Sequence, residues 1–221
     1  MQIRFSVRFE IMTILENIKS DIDWRMGELA SLKTIPHRYN MATHHKSLLK
    51  TYLVPAIYAI WEGFVSNTML AYIMEINKEE ITAEHIKMDI LLYKADMDEK
   101  LNLTVSRTSR VQQEKFFKNI FSTLTNPIKI TPKVQTKSNV NLEVVNHLLT
   151  SFGLELLPES YERGLNKLLN FRNKIAHGEK AISVKDDHIT EFTQLINDLM
   201  VEIATRVEEG LINKTYLTPK S

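Results

Sequence analysis

The sequence predicts an all-α fold, a helical bundle with long N-terminal helices and an irregular insertion in its middle. Only 6 glycines and 6 prolines occur in 221 residues, fewer turn-forming residues than a sheet-rich fold of this length requires. Apolar residues recur at intervals of three and four over long stretches. Hydrophobic residues make up 43% and charged residues 25%, the mix of an ordinary globular protein. We expect one domain over residues 1–221, with residues 96–138 as an insertion or arm.

The N-terminal part contains two long helix candidates. The first covers residues 3–32, and Pro36 is expected to stop it. Its apolar face consists of Ile11, Ile14, Leu15, Ile18, Ile22 and Met26. The second covers about residues 43–76 and is apolar on most sides, so we expect it to be the most buried helix. Pro55 lies inside it and is expected to kink or divide it.

The middle of the chain is the least regular part. Thr82 is expected to cap a short helix that covers residues 86–92. Residues 109–124 are predicted to form an amphipathic helix. Its predicted inward side chains are Val111, Phe116, Phe117, Ile120 and Leu124. Residues 126–139 contain two prolines and alternating isoleucines, which indicates a loop or a short extended arm.

The C-terminal part reads as three further helices. Asn141 can cap the first of them and Gly153 can end it. Residues 158–177 form the second, with Gly178 as its stop. The third covers residues 183–211. Its apolar face consists of Ile189, Phe192, Leu195, Ile196, Leu199, Ile203 and Val207.

Several classes of protein and site are excluded by what the sequence lacks. It has no cysteine, which excludes disulfides, thiolate zinc sites and cysteine nucleophiles and agrees with a cytoplasmic location. The N-terminus lacks a signal-peptide pattern, and Glu62 interrupts the apolar run closest to a membrane span. Phosphate-binding glycine loops are missing. His44 and His45 are adjacent and point apart on a helix, so we expect neither a metal nor another cofactor.

Charge is distributed unevenly along the chain. The net charge of +1 argues against coating nucleic acid by bulk charge. Residues 107–137, however, contain seven basic residues and one acid, whereas residues 186–209 contain seven acids and one base. Two solvated faces are the preferred interpretation of these stretches. The alternative is that the basic segment follows a phosphate backbone. The second interpretation makes four side chains of the basic segment candidates for RNA contacts: Arg107, Arg110, Lys115 and Lys118.

One polar cluster stands at the end of an otherwise apolar helix. Asn173 and His177 are four residues apart and share a face, and the long side chain of Arg172 can reach the same patch. A helix C-terminus carries partial negative charge that favours an imidazolium, so His177 can serve as an acid or a base. Arginine can hold a phosphate through two hydrogen bonds. This pair suffices to cleave RNA without a metal, since one group deprotonates the 2′-hydroxyl and the cation stabilises the pentavalent phosphate. The alternative is an ordinary basic helix ending before Gly178.

The stretch R-N-K-I-A-H-G, residues 172–178, resembles the R-x4-H signature of the HEPN superfamily, small all-α proteins of which many are metal-independent ribonucleases. Two further segments are similar to the MAE-type branch of HEPN-like nucleases in prokaryotic defence and toxin–antitoxin loci. They are Y-A-I-W-E-G-F-V at residues 58–65 and S-N-V-N at residues 138–141. The resemblance covers about residues 47–207. It implies a HEPN-like bundle and an endoribonuclease that acts as a toxin or anti-phage effector and leaves 2′,3′-cyclic phosphate and 5′-hydroxyl ends.

The resemblance also implies roles for single residues. Arg172 and His177 would be the catalytic pair, and Asn173 would orient His177 or the phosphate. Glu62 would lie across from the signature helix, where we expect it to pair with Arg172 because a buried acid needs a partner. Lys174, inside the signature, is a further candidate RNA contact.

The partners implied are RNA, a second copy of the chain and an antitoxin or other defence-system protein. In a homodimer, two R-x4-H motifs would meet in one cleft. In the branch paired with nucleotidyltransferase antitoxins, a tyrosine follows the histidine by two positions; Glu179 occupies that position here, which argues against such a partner. A non-catalytic helical module that binds RNA or protein is the alternative, and a neutralising partner of another toxin would share the fold. In an enzyme, Arg172 and His177 should line an open cleft; in a scaffold they should be buried or fully paired.

Overall fold

The computed structural model describes residues 2–98, 101, 109–136, 139–179 and 182–219, with side chains from residue 12 onward. These residues form seven α-helices and one isolated antiparallel bridge between Ile86 and Leu217, which confirms the all-α prediction. The helices are α1 (Gln2–Arg38), α2 (Thr43–Lys78), α3 (Met88–Met97), α4 (Arg110–Thr125), α5 (Leu142–Ser151), α6 (Glu162–Ala176) and α7 (Asp186–Asn213).

The chain divides into two compact units, each assembled from three stretches of sequence. The first consists of Met1–Thr68, Thr136–Asn146 and Leu157–Thr205. The second consists of Met69–Gln135, His147–Leu156 and Arg206–Ser221. The single domain over residues 1–221 stays a prediction.

The first unit buries apolar side chains from α1, α2, α6 and α7. Its most completely buried members include Leu29, Val54, Ile57, Trp61, Phe64, Leu165, Leu168, Phe192, Ile196 and Leu199. Helices α6 and α7 approach closely, because a Cβ atom at Gly164 would lie 3.0 Å from Leu195 Cδ2. At the start of α7, Asp186 accepts from Lys50 Nζ at 2.6 Å and contacts His37 Nε2 at 3.2 Å, which links it to α1 and α2.

Neither proline divides its helix. Pro36 was expected to stop α1, yet α1 continues to Arg38 with Pro36 inside its last turn. A proline so close to the end removes one hydrogen bond from a turn that already has unpaired groups, so the helix tolerates it. Pro55 was expected to kink or divide α2, and division is wrong because α2 is one element of 36 residues. Near it, Val54 and Ile57 are fully buried, and packing outweighs the lost bond.

The second unit is organised around four aromatic rings. Tyr72 makes edge contacts with Phe152 and Tyr216 at centroid distances of 6.1 and 6.2 Å, and Tyr93 lies 4.8 Å from Phe152. Burial and the neighbouring Glu79 carboxylate raise the pKa of Tyr216, whose hydroxyl donates to Glu79 at 2.7 Å. The phenol therefore stays protonated and serves as a donor.

The segment predicted to be a loop or arm is tied to the second unit. The side chain of Asn77 accepts from the Ile130 N–H at 2.7 Å and donates to the Ile130 carbonyl at 2.8 Å. The Ile128 N–H donates to the Ile81 carbonyl at 2.7 Å. Ile128 and Ile130 are both buried. The alternating isoleucines thus fasten a loop to the end of α2.

Two predictions for the middle of the chain are wrong. Thr82 caps no helix; its hydroxyl contacts His85 Nδ1 at 3.0 Å, and α3 begins only at Met88, without a side-chain cap. Ser109 Oγ accepts from the Gln112 N–H and caps α4. The predicted inward face of α4 is mostly wrong. Of the predicted inward side chains only Phe116 is buried and Ile120 half-buried, whereas three are exposed: Val111, Phe117 and Leu124.

By length and composition, α2 is apolar enough to cross a membrane, a criterion that the core helix of a soluble protein also meets. Much of α2 lies inside the protein. Its fully buried side chains include Val54, Ile57, Trp61, Phe64, Tyr72 and Ile73.

Candidate functional site

The backbone at the end of α6 fixes the position of His177. Gly178 adopts φ +71°, and its N–H donates to the Ile175 carbonyl at 3.1 Å. The Glu179 N–H donates to the Lys174 carbonyl at 3.0 Å, which completes a Schellman ending. Glycine is favoured at position 178 because the backbone there is left-handed. Steric crowding is not the reason, because a Cβ atom at this position would meet nothing within 4 Å. His177 is the capping residue just before the turn, and its side chain is exposed.

Arg172 lies one turn before this ending and is held from two sides. Its guanidinium carbon is 4.6 Å from the centroid of the Tyr58 ring, a cation–π contact between α6 and α2. Its Nη1 donates to Asn173 Oδ1 at 2.8 Å. The arginine therefore does swing toward Asn173, although neighbouring positions on a helix point in different directions. Arg172 is half-buried and forms no ion pair with a carboxylate of the described residues.

Two side chains of α2 hold both polar groups of the Val140 backbone. The Val140 N–H donates to Tyr58 Oη at 2.9 Å, and Trp61 Nε1 donates to the Val140 carbonyl at 2.9 Å. All three residues are buried. Asn141, directly after this anchor, accepts from the Val144 N–H at 2.9 Å and caps α5 as predicted. The contacts join the Y-A-I-W-E-G-F-V segment to the Asn139–Asn141 part of S-N-V-N; Ser138 lies outside the described residues.

The charges of Glu62 and Arg172 both act on the hydroxyl of Tyr58. Burial raises the pKa of its hydroxyl, the hydrogen bond from Val140 lowers it, Glu62 raises it and Arg172 lowers it, with a net increase. The phenol is therefore neutral at physiological pH. Glu62 and Arg172 act on the same hydroxyl with opposite sign, which brings both into one electrostatic cluster.

The expected ion pair between Glu62 and Arg172 does not form among the described side chains. Glu62 Oε1 instead accepts from Thr136 Oγ1 at 3.3 Å. Glu62 is half-buried rather than buried, so its carboxylate keeps partial hydration and does not require a counter-ion at contact distance.

Gly63 and Phe64 accommodate a cation that the sequence analysis missed. Arg25 of α1 is buried; its Nε donates to Asp21 Oδ2 at 2.9 Å and its Nη1 to the Ile60 carbonyl at 2.8 Å. A Cβ atom at Gly63 would lie 3.1 Å from Arg25 Nη1, and the guanidinium carbon is 6.0 Å from the Phe64 ring centroid. Gly63 thus leaves room for the guanidinium.

A signal for Arg25 was present in the sequence. It continues the buried α1 stripe of Ile18, Ile22 and Leu29 at helical spacing, where a charged residue needs partners. A cation in an apolar stripe, together with a glycine inside a buried helix, can point to such a contact.

The remaining candidate residues fall in separate places. Lys174 is half-buried and follows Arg172 by two positions on α6, so the two side chains do not share a face. Arg110, Lys115 and Lys118 are exposed on α4, which belongs to the second unit. Lys118 pairs with Glu114 at 2.7 Å. Arg107 lies outside the described residues. Within the part of the chain that the structure describes, no group of three histidine or acidic side chains could hold a metal ion.

Comparison with known proteins adds one match. A family model described as MAE_28990-like HEPN matches residues 14–216. The matched span includes the W-E-G-F segment, the Val140 anchor and the whole of α6. No curated protein and no solved structure matches the chain.

Proposed function

The chain belongs to the MAE_28990-like HEPN family, and from this premise we propose that it is a metal-independent endoribonuclease that acts as a toxin or anti-phage defence effector. Membership of the HEPN family indicates a nuclease-like or RNA-related role, and HEPN domains are commonly ribonucleases. The observation that carries the proposal is the end of α6, where an exposed imidazole stands five residues after an arginine supported on an aromatic ring.

The proposed chemistry divides between His177 and Arg172. The neutral imidazole of His177 takes the proton of the 2′-hydroxyl, and the 2′-oxygen attacks the neighbouring phosphorus. The bond from phosphorus to the 5′-oxygen breaks, and an imidazolium protonates that oxygen. The products are a 2′,3′-cyclic phosphate and a 5′-hydroxyl. Arg172 stabilises the charge of the pentavalent phosphate, because a guanidinium over a ring face keeps its N–H groups directed outward in its plane.

Two neighbours support this arrangement without contacting the reacting atoms. Asn173 holds Nη1 of Arg172 at 2.8 Å and so limits the rotation of the guanidinium. Glu62 accepts from Thr136 and acts on Tyr58 through its charge. We assign both as positioning residues.

Cleavage without metal is the direct test of the proposal. Purified protein should cut single-stranded and cellular RNA equally well with and without EDTA, because the mechanism uses only side-chain groups. The fragments should carry 2′,3′-cyclic phosphate ends, which resist 3′-end ligation until the ring is opened by acid and the remaining phosphate is removed by a phosphatase. Activity that disappears with EDTA, or fragments with 3′-hydroxyl ends, would contradict the mechanism.

A homodimer with one shared cleft is part of the proposal. Sedimentation should give a particle of twice 25.7 kDa at micromolar concentration. Mixing two inactive variants, Arg172→Ala and His177→Ala, should restore part of the activity if one copy supplies the arginine and the other the histidine to a site. A monomer with full activity, or mixed variants that stay inactive after exchange of subunits, would count against a composite site.

A non-catalytic binding module remains the second candidate. The observation that favours it is that Arg172 already has two partners, Tyr58 and Asn173, and that the W-E-G-F residues make contacts that stabilise the fold. RNA binding without cleavage would favour this alternative.

A further inference from the structure

The outer face of α4 carries two large aromatic side chains that are more than half exposed. Phe117 is 57% and Phe121 64% exposed. They are four residues apart, so they lie on the same face about one helical turn, or roughly 5.4 Å, from each other. Exposed neighbouring rings on a helix mark a binding surface more often than isolated apolar residues do.

Two cations of α4, Arg110 and Lys118, flank these rings. Arg110 precedes Phe117 by two helical turns on the same face, and Lys118 precedes Phe121 by three residues. The one acid of α4, Glu114, is paired with Lys118 at 2.7 Å. Arg110 and the exposed Lys115 form no ion pair with a described residue. This combination complements a polyanion that also carries flat apolar groups.

The helix holds at least one of these rings in place. The buried ring of Phe116 contacts Phe117 edge-on, with centroids 5.6 Å apart and an interplanar angle of 77°. The Ser109 cap fixes the start of the helix by accepting from the Gln112 N–H. An ordered ring loses little conformational freedom when a ligand stacks on it.

We propose that α4 is a stacking platform for single-stranded RNA, with bases on Phe117 and Phe121 and phosphates on Arg110 and Lys118. Duplex RNA hides its base faces, whereas unpaired bases can stack on aromatic side chains. The inference rests on the proposed function and adds the surface by which the protein would bind unpaired RNA. Base stacking on one aromatic residue corresponds to about 5- to 150-fold in affinity.

The test separates binding from cleavage by its choice of ligand. A fluorescent 2′-O-methyl oligonucleotide has no 2′-hydroxyl nucleophile, so full-length protein can bind it without cutting it. The double variant Phe117→Ala, Phe121→Ala should bind this single strand at least about 20-fold more weakly. The matched control is Val111→Ala, Leu124→Ala, because these side chains are exposed on the same helix and lack a π face. It should bind within about twofold of the wild type.

Conservative replacement and a duplex complete the experiment. Phe121→Trp should bind the single strand as tightly as the wild type, and its added indole fluorescence should be quenched on binding. Affinity for the same oligonucleotide in a duplex should be unaffected by loss of the two rings. Thermal unfolding of each variant shows that the fold is retained.

Three outcomes would overturn the platform. They are unchanged single-strand affinity without the two rings, an equal loss in the Val111, Leu124 control, and binding of anionic vesicles but not of RNA. The last two point to a protein-docking or membrane surface. If the platform is overturned in one of these ways but the protein still cuts natural RNA at the wild-type rate, only the platform proposal fails and the nuclease proposal stands. If the platform binds but natural RNA is never cut, the nuclease proposal fails and the platform stands.

Discussion

His177→Ala is expected to lower the rate of RNA cleavage by about 10²- to 10⁴-fold, the usual contribution of a general acid or base. The fold should be retained, because the imidazole is exposed. The hydrogen bond from the His177 N–H to the Asn173 carbonyl is made by the backbone and survives the substitution. Single-turnover cleavage of a labelled RNA gives the rate, and the unfolding midpoint checks the fold.

A second histidine provides the control for this substitution. His45 is also exposed and lies on α2, outside the cluster around Tyr58. His45→Ala should cut RNA at the wild-type rate. If His177→Ala cuts RNA fully, His177 is no acid or base in this protein and the binding-module alternative is preferred.

Arg172→Lys tests the other half of the same mechanism. Lysine keeps the positive charge but lacks the planar fork that can bind two phosphate oxygens. It also cannot reproduce the hydrogen bond to Asn173 and the cation–π contact with Tyr58 in one geometry. Cleavage should fall strongly, whereas a role limited to charge would leave the rate near that of the wild type.

Three helix ends that follow from local chemistry were predicted correctly from the sequence, whereas the predicted Thr82 cap was not. Asn141 caps its helix through a side-chain oxygen, and Gly153 and Gly178 adopt positive φ where helices end. Caps depend on residues within one turn, so the sequence alone contains the information. The prediction that Pro36 stops α1 was wrong because the free-energy cost of a proline depends on its distance from the end of the helix. Tertiary contacts decide where that end lies.

The buried face of α4 was predicted less well. Apolar residues occupy more than half of the helix circumference, and periodicity does not say which arc a neighbouring element covers. Only Phe116 is fully inside, and the rings of Phe117 and Phe121 face outward. The departure from the expected pattern coincides with the surface proposed to bind RNA, as is common where local rules fail at functional sites.

The site itself was found only in part. Arg172, Asn173 and His177 belong to one short stretch and share a helix end, so their proximity was visible in the sequence. The contacts that support them were not, because they join distant positions. Trp61 and Val140 are 79 residues apart, and the hydrogen bond between them has no periodic trace in the sequence.

Trp61→Ala is expected to destabilise the protein by about 3–5 kcal/mol, the usual cost of removing a buried aromatic side chain. Trp61 is fully buried and also donates to the Val140 carbonyl at 2.9 Å. A domain of this kind has about 5–15 kcal/mol of stability in total, so the variant should unfold at a much lower urea concentration. The free energy of unfolding from urea titration measures the effect.

Trp61→Phe separates the hydrogen bond from the packing. Phenylalanine fills most of the indole's volume but leaves the buried Val140 carbonyl without its donor, which costs about 1–3 kcal/mol. Trp24→Phe is the matched control, since Trp24 is 58% exposed and its replacement should change stability by less than about 0.5 kcal/mol. Val140 also donates to the hydroxyl of Tyr58, whose ring contacts Arg172. Loss of the hydrogen bond from Trp61 should therefore make the Trp61→Phe variant cleave RNA more slowly, even where this variant is fully folded. A Trp61→Phe variant as stable and as active as the wild type would show that the tryptophan acts through its bulk alone and that the Val140 anchor does not position Arg172.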